Sequence, residues 1–152
     1  MTEFRFNDYQ PFYDGEIEVV VNEKLPANPE RELVPSYEFE VRLPGSTVPV
    51  GRISLRIGST RRLVKYGGNI GYGVYPDYRG HHYAAKACKL VKQVALDHDM
   101  KTLWITCNPD NIASRRTCEI LGLKIVEIVD LPEDIDMYGR VDRQKCRYRW
   151  DL

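Results

Sequence analysis

Gly71-Tyr72-Gly73-Val74-Tyr75-Pro76-Asp77-Tyr78-Arg79-Gly80-His81-His82-Tyr83-Ala84 is the stretch on which the reading of this chain turns. Its first half alternates as a strand does, Pro76-Asp77 breaks it, and Tyr83, Ala84, Ala87, Leu90, Val91, Val94 and Ala95 then recur at helical spacing from about residue 81 to 98. A strand that passes through a tight turn into a helix leaves backbone N–H groups unpaired at the positive end of the helix macrodipole. That arrangement suits an anion, a phosphate above all. Gly80 permits close backbone approach, and Arg79 adds a charged donor at the rim. The Gly-x4-Gly-Lys-Ser/Thr pattern of a P-loop is absent. A Rossmann fingerprint laid on Gly71 and Gly73 puts its last glycine on Pro76, and those glycines fall within the strand instead of the turn.

Downstream, Thr102 to Cys107 reads as a short, nearly continuous apolar strand, expected to be buried on both faces. Asn108-Pro109-Asp110-Asn111 stops it and offers N-caps for a second helix that ends at Gly122. Strands from Leu123 to Val129 and from Lys145 to Leu152 close the chain. Upstream, Ile17, Val19 and Val21 mark an edge strand, and a loop with Pro26, Pro29 and Pro35 leaves room for one short helix or none. Tyr37, Phe39, Val41 and Leu43 then alternate with Glu38, Glu40 and Arg42, and Ile53, Leu55 and Ile57 with Arg52, Ser54 and Arg56. Only a register that joins the apolar faces is tolerable, because a one-residue slip turns every inward side chain to solvent. That register sets Glu38 and Glu40 near Arg52 and Arg56. A strand from Asn69 to Tyr75 completes the meander. The expected fold is α/β of the mixed α+β kind: one domain over residues 1–152, with a mostly antiparallel sheet of about seven strands and a central β-α-β-α unit.

Strand, Val74-x-Pro76-x-Tyr78-Arg79-Gly80-x-x-x-Ala84, helix, short strand, then Asn111-x-x-Ser114-x-x-x-x-Glu119-Ile120-Leu121-Gly122-Leu123: this order resembles the GCN5-related N-acetyltransferase (GNAT) superfamily. Its pyrophosphate motif reads Arg/Gln-x-x-Gly-x-Gly/Ala, and a second element reads Asn-x-x-Ser/Ala before a helix ending Leu-Gly-Phe. The detailed match covers residues 69 to 123. The resemblance implies acetyl-CoA as cosubstrate, with Arg79, Gly80, His81, His82, Tyr83 and Ala84 around its pyrophosphate. It implies further that the backbone of Val74 and Tyr75 pairs with the pantetheine arm and that Asn111 and Ser114 line its thiol end. The ending Gly139-Arg140-Val141-Asp142-x5-Tyr148, together with Asn-x-x-Ser, is similar to the branch that acts on ribosomal-protein N-termini, which also contains small-amine and antibiotic acetyltransferases.

The chain departs from the family pattern at two positions. His82 stands where the family usually has a glycine, so the backbone is expected to stay out of glycine-only conformations, and a histidine facing the phosphates would raise cofactor affinity as pH falls toward about 6. Cys118 stands where many members place a tyrosine acid. Acyl transfer to an amine needs a base for the ammonium, donors for the oxyanion and often an acid for the thiolate. Cys118, Tyr72 and Tyr138 are the candidate acids, and no base stands out. The expected acceptor is a primary amine, of a small molecule or a protein N-terminus; a long polar segment from Asp130 to Gln144 with Glu133, Asp134 and Asp136 would attract a cationic amine, and a solvated loop would read the same way.

Composition narrows the classes. The formal net charge is zero, but residues 1–50 hold 10 acidic and 4 basic side chains and residues 51–100 hold 3 and 9. A basic middle suits a phosphate-bearing ligand, and solvated strand faces would give the same asymmetry. Balanced charge without an aromatic RNA motif argues against nucleic acid. No apolar run of membrane-spanning length and no secretory leader is present, so a cytoplasmic location is expected. Cys88, Cys107, Cys118 and Cys146 lack paired spacing and read as reduced thiols, with no metal site expected. A homodimer paired through sheet edges or the C-terminal strand is a further expectation. Two other readings stay open: a non-catalytic coenzyme A binder on the same fold, and an unrelated nucleotide-binding module.

Overall fold

Side chains that alternate apolar and polar can bury only one face of a strand, and the computed structural model, which describes residues 4–133 and 143–152, shows that face turned onto a helix. The strands are β1 (Phe12–Tyr13), β2 (Glu18–Leu25), β3 (Ser36–Arg42), β4 (Pro49–Arg56), β5 (Ile70–Val74), β6 (Thr102–Cys107), β7 (Ile125–Asp130) and β8 (Gln144–Asp151). They form one sheet in the order β1-β2-β3-β4-β5-β6-β8-β7. Two helices, α1 (Tyr83–Asp97) and α2 (Ile112–Ile120), complete the central β5-α1-β6-α2 unit. Every pairing is antiparallel except β5 with β6. Among the described residues no helix is long and apolar enough to cross a membrane.

The register is the one that keeps apolar faces together, with Tyr37 opposite Leu55 and Phe39 opposite Ile53. These side chains are all but fully buried with Ala87, Val91, Val94 and Ala95 of α1. Burying one such large side chain contributes about 1.5–3 kcal/mol, so the α1 face and β3–β4 together hold much of the stability. The expected short helix between the first strands is a 3-10 turn at Pro29–Arg31.

Several expectations are corrected. The sheet has eight strands because a two-residue strand, β1, lies outside β2, which is therefore not the edge. β6 buries Leu103, Ile105 and Cys107, but Trp104 and Thr106 on its other face are only half-buried. β8 pairs with β6 over residues 146–151 and with β7 over residues 144–148. Arg52 does lie opposite Glu40, but Glu40 is held by Arg42 at 2.7 Å, and Arg52 instead donates to the Tyr75 hydroxyl at 3.1 Å. Glu38 takes serine hydroxyls as partners.

The feature that positions the site is a split in the sheet. β5 and β6 share a single facing pair, Ile70 with Ile105, and beyond it they part toward their C-terminal ends. Asn69, almost wholly buried, fastens the root: its N–H donates to Trp104 O at 2.6 Å, its Oδ1 accepts from Trp104 N at 2.8 Å, and its Nδ2 donates to Arg56 O and Gly58 O, each at 3.0 Å.

Candidate active site

Backbone alternation decides what the open edge of β5 presents. Tyr75 N donates to Val50 O at 2.9 Å and Asn69 O accepts from Arg56 N at 2.7 Å, so the odd-numbered residues from 69 to 75 face β4. Tyr72 and Val74 face the split, where no strand pairs with them. A ligand amide laid in the split meets their N–H and C=O groups much as another strand would. Tyr75 cannot share in this. Its N–H is taken by Val50, its C=O accepts from Tyr78 N at 2.9 Å, and its ring is exposed and off the cavity.

From β5 the chain turns through a 3-10 turn at Pro76–Tyr78 into α1. Arg79 Nε donates to Val74 O at 2.8 Å, which orients the guanidinium along the mouth of the split. Gly80 sits at φ +95, a backbone state that a side chain would strain. His82 adopts φ 62, ψ 28, the left-handed region that glycine favours. This left-handed α state is open to histidine and is not a glycine-only one, so the turn is made with a side chain in place at a cost of about 1–2 kcal/mol. The first bond that closes α1 runs from Lys86 N to His82 O at 3.1 Å. The N–H groups of Tyr83, Ala84 and Ala85 precede it and are the unpaired donors of the first helical turn. The His81 ring stacks on Tyr83 at 5.1 Å, outside the cavity lining.

These elements enclose a cavity of about 470 Å³ that runs from this turn to α2. Val74, Arg79, Gly80, His82, Tyr83, Ala84, Asn111 and Ser114 all line it, so eight of the ten residues expected around a cofactor are brought together. Asn111 Oδ1 accepts from Ser114 N at 3.1 Å and caps α2, and the Leu123 N to Cys118 O bond at 2.9 Å with Gly122 at φ +81 ends that helix in a Schellman turn. Arg116, Thr117 and Ile120 also line the cavity and were not anticipated. They lie one helical turn and two turns beyond Ala113, so extending the Asn-x-x-Ser element at a period of 3.6 would have found them.

At the inner end of the cavity the Tyr72 hydroxyl meets Ser114 Oγ at 2.8 Å and Ser114 O at 3.3 Å, with Cys118 Sγ at 3.9 Å. Burial is the main force that raises the Tyr72 hydroxyl far above the usual tyrosine range, so it keeps its proton. Burial likewise pushes the Cys118 thiol up to about 12, and Cys118 lies in the core without lining the cavity. Of the two proposed acids among the described residues, Tyr72 reaches the cavity and Cys118 does not. Tyr138, Asp134 and Asp136 lie outside the described residues.

A search of curated proteins returns no match. Among solved structures, the fold is similar to a ribosomal-protein-S5-alanine acetyltransferase from Vibrio fischeri (TM-score 0.68, 11% identity, 94% of this chain and 97% of that one). It is also similar to a ribosomal L7/L12 alpha-N-protein acetyltransferase in complex with coenzyme A (0.69, 11%, 94% and 98%). A third is the microcin C7 self immunity acetyltransferase MccE in complex with acetyl-CoA and AMP (0.57, 18% identity, 77% of this chain), of whose chain the present one spans 61%. At these identities the likeness is one of fold. A family model described as an acetyltransferase (GNAT) domain matches residues 6–124. The chain belongs to the GNAT acetyltransferase family.

Proposed function

We propose that the protein transfers an acetyl group from acetyl-CoA to a primary amine by direct attack within a ternary complex. The observation that carries this reading is the split itself: Tyr72 and Val74 backbone groups that no strand pairs along one edge, leading at one end to the first-turn N–H groups of α1 and Arg79 and at the other to the Tyr72 and Ser114 hydroxyls. An elongated molecule with amides in its middle, phosphates at one end and a thioester at the other matches that order of groups. Two of the neighbouring structures were solved with acetyl-CoA or coenzyme A bound.

In this reading Tyr83, Ala84 and Ala85 donate N–H bonds to the pyrophosphate and Arg79 adds charge. Tyr72 and Val74 hold the pantetheine amides. Tyr72, which keeps its proton, donates a hydrogen bond to sulfur as the thiolate departs, while Ser114 orients it. Because a thiolate leaves readily, holding amine and thioester in line contributes most of the acceleration.

The test is thermal unfolding with acetyl-CoA, coenzyme A and NAD side by side, followed by thiol release with a panel of amines. Ligand at 100 times its dissociation constant adds about 2.7 kcal/mol to the folded state. Stabilisation by the coenzyme A species alone and thiol release with an amine are expected. Stabilisation without release from any amine would favour a non-catalytic binder, and stabilisation by NAD alone would overturn the reading.

A further inference from the structure

β7 is the last strand of the sheet, and among the described residues no strand pairs with its outer edge. Leu131 N, just past β7, donates to Arg143 O, just before β8, at 2.8 Å. Alternation back along the strand then turns the N–H and C=O groups of Val129 and Glu127 to β8 and those of Ile128 and Asp130 outward. A register shift between Ile125 and Glu127 ends this regular stretch. The opposite edge of the sheet is β1, two residues long and so a poor template for a further strand.

The side chains of β7 are apolar and uncovered. Ile125 and Ile128 face Tyr148 and Cys146, which lie in the core, yet Ile125 is 40% and Ile128 48% exposed, so the helical layer ends short of β7. Val126 is 52% exposed. An outer strand that presents three large apolar side chains beside open hydrogen-bonding groups is a template for another strand. The charges along it restrict which strand fits. Glu127 is paired with Arg147. Lys124 precedes the strand and Asp130 ends it, both exposed, and among the described residues neither has an ion pair. Gln144 Nε2 donates to Asp130 at 3.0 Å, which orients the carboxylate without neutralising it. An antiparallel partner must therefore bring an acid to Lys124 and a base to Asp130. β7 itself meets that requirement.

We propose that the outer edge of β7 pairs with the same edge of a second copy of the chain, antiparallel about a twofold axis at Ile128. The outward N–H and C=O groups of Ile128 are then exchanged with those of the partner's Ile128, and Glu127 faces the partner's Val129. Each Lys124 reaches the partner's Asp130 along a diagonal, which a long side chain can span. Facing residues of an antiparallel pair point to the same side, so the axis stands perpendicular to the sheet. Ile125 and Ile128 of both copies thus form one apolar strip, and the two helical layers lie on one face of a joint sheet. The contact is isologous and closes at two copies. It is smaller than a standard interface, which sets its strength in the micromolar range. No residue of β7 lines the cavity between β5 and α2, so each copy keeps its own site.

Sedimentation equilibrium from about 1 to 300 μM is run on the native chain, on Ile128→Lys, Lys124→Glu and Asp130→Lys, and on the chain carrying both charge reversals. An equimolar mixture of the two single charge variants completes the set. The native chain is expected to show a monomer–dimer equilibrium. Ile128→Lys sets two ammonium groups at the axis and is expected to raise the dissociation constant about tenfold or more. Lys124→Glu and Asp130→Lys each leave two like-charge contacts, with an expected rise of roughly fivefold or more. The double reversal restores opposite charges at both ends and is expected to return to within about threefold of native. The mixture is expected to form heterodimers more tightly than either variant pairs with itself. A native chain that is monomeric throughout, assembly beyond the dimer, a dimer indifferent to Ile128→Lys, or charge reversals that do not rescue one another would each overturn the proposal.

Discussion

At His82, side-chain identity and backbone state oppose each other: φ is 62, yet the side chain carries a Cβ. Replacing it with glycine relieves a strain of about 1–2 kcal/mol but adds chain entropy to the unfolded state, a cost of about 0.5–1 kcal/mol. His82→Gly is therefore expected to leave stability unchanged or raise it by up to about 1.5 kcal/mol in urea unfolding, and to leave coenzyme A affinity no weaker. Tyr72→Phe deletes the hydroxyl's buried hydrogen bonding to Ser114 Oγ and O, with an expected cost of about 1–2 kcal/mol. If that hydroxyl serves the departing thiolate, kcat falls while the coenzyme A dissociation constant holds, which separate binding and turnover measurements would show. Most of the candidate site was legible residue by residue because motif order fixes which residues a strand-turn-helix brings together. That Tyr75 turns its N–H to Val50 was not legible, because the alternation of N–H and C=O along β5 depends on which partner strand claims the odd positions, and that is set by a contact far away in sequence.

The strands and helices followed from periodicity, since Tyr37, Phe39, Ile53 and Leu55 alternate and Ala87, Val91, Val94 and Ala95 recur at helical spacing. What periodicity could not show is how β5 and β6 are held together at one end and apart at the other. That depends on Asn69, whose amide holds three chain segments at once, and a lone asparagine before a strand reads simply as a turn residue. Asn69→Ala is expected to leave the Trp104 N–H and two carbonyls without their partner and to cost about 3 kcal/mol, measured by denaturant midpoint. Hydrogen exchange should quicken first at the β5–β6 root. Charge pairing was also invisible at this scale, because opposite positions such as Glu40 and Arg52 need not pair when Arg42 is nearer.

Across the whole molecule, the segment before β1 is tied to the end of α1. Asn7 N donates to the Tyr37 hydroxyl at 2.8 Å, that hydroxyl meets His98 Nε2 at 2.6 Å, Phe4 stacks on His98, and Tyr9 donates to Asp97 at 2.9 Å. Burial lowers the His98 pKa against the opposing pull of Asp97 and Asp99. A histidine with a depressed folded pKa contributes stability that is full above its unfolded value, about 6.5, and is lost as pH falls through the folded value. Stability should therefore decline from pH 7.5 to 5, and His98→Asn should flatten that decline in urea midpoints taken across the range. This cluster was not foreseen, since aromatic residues scattered before the first strand carry no period.

The most direct measurement is a backbone amide NMR titration with coenzyme A. The account predicts the largest shifts at Tyr72, Val74, Arg79, Tyr83, Ala84 and Ala85, on the edge of the split and the first turn of α1. Binding that moves other amides and leaves these in place, or no binding at all, would contradict it.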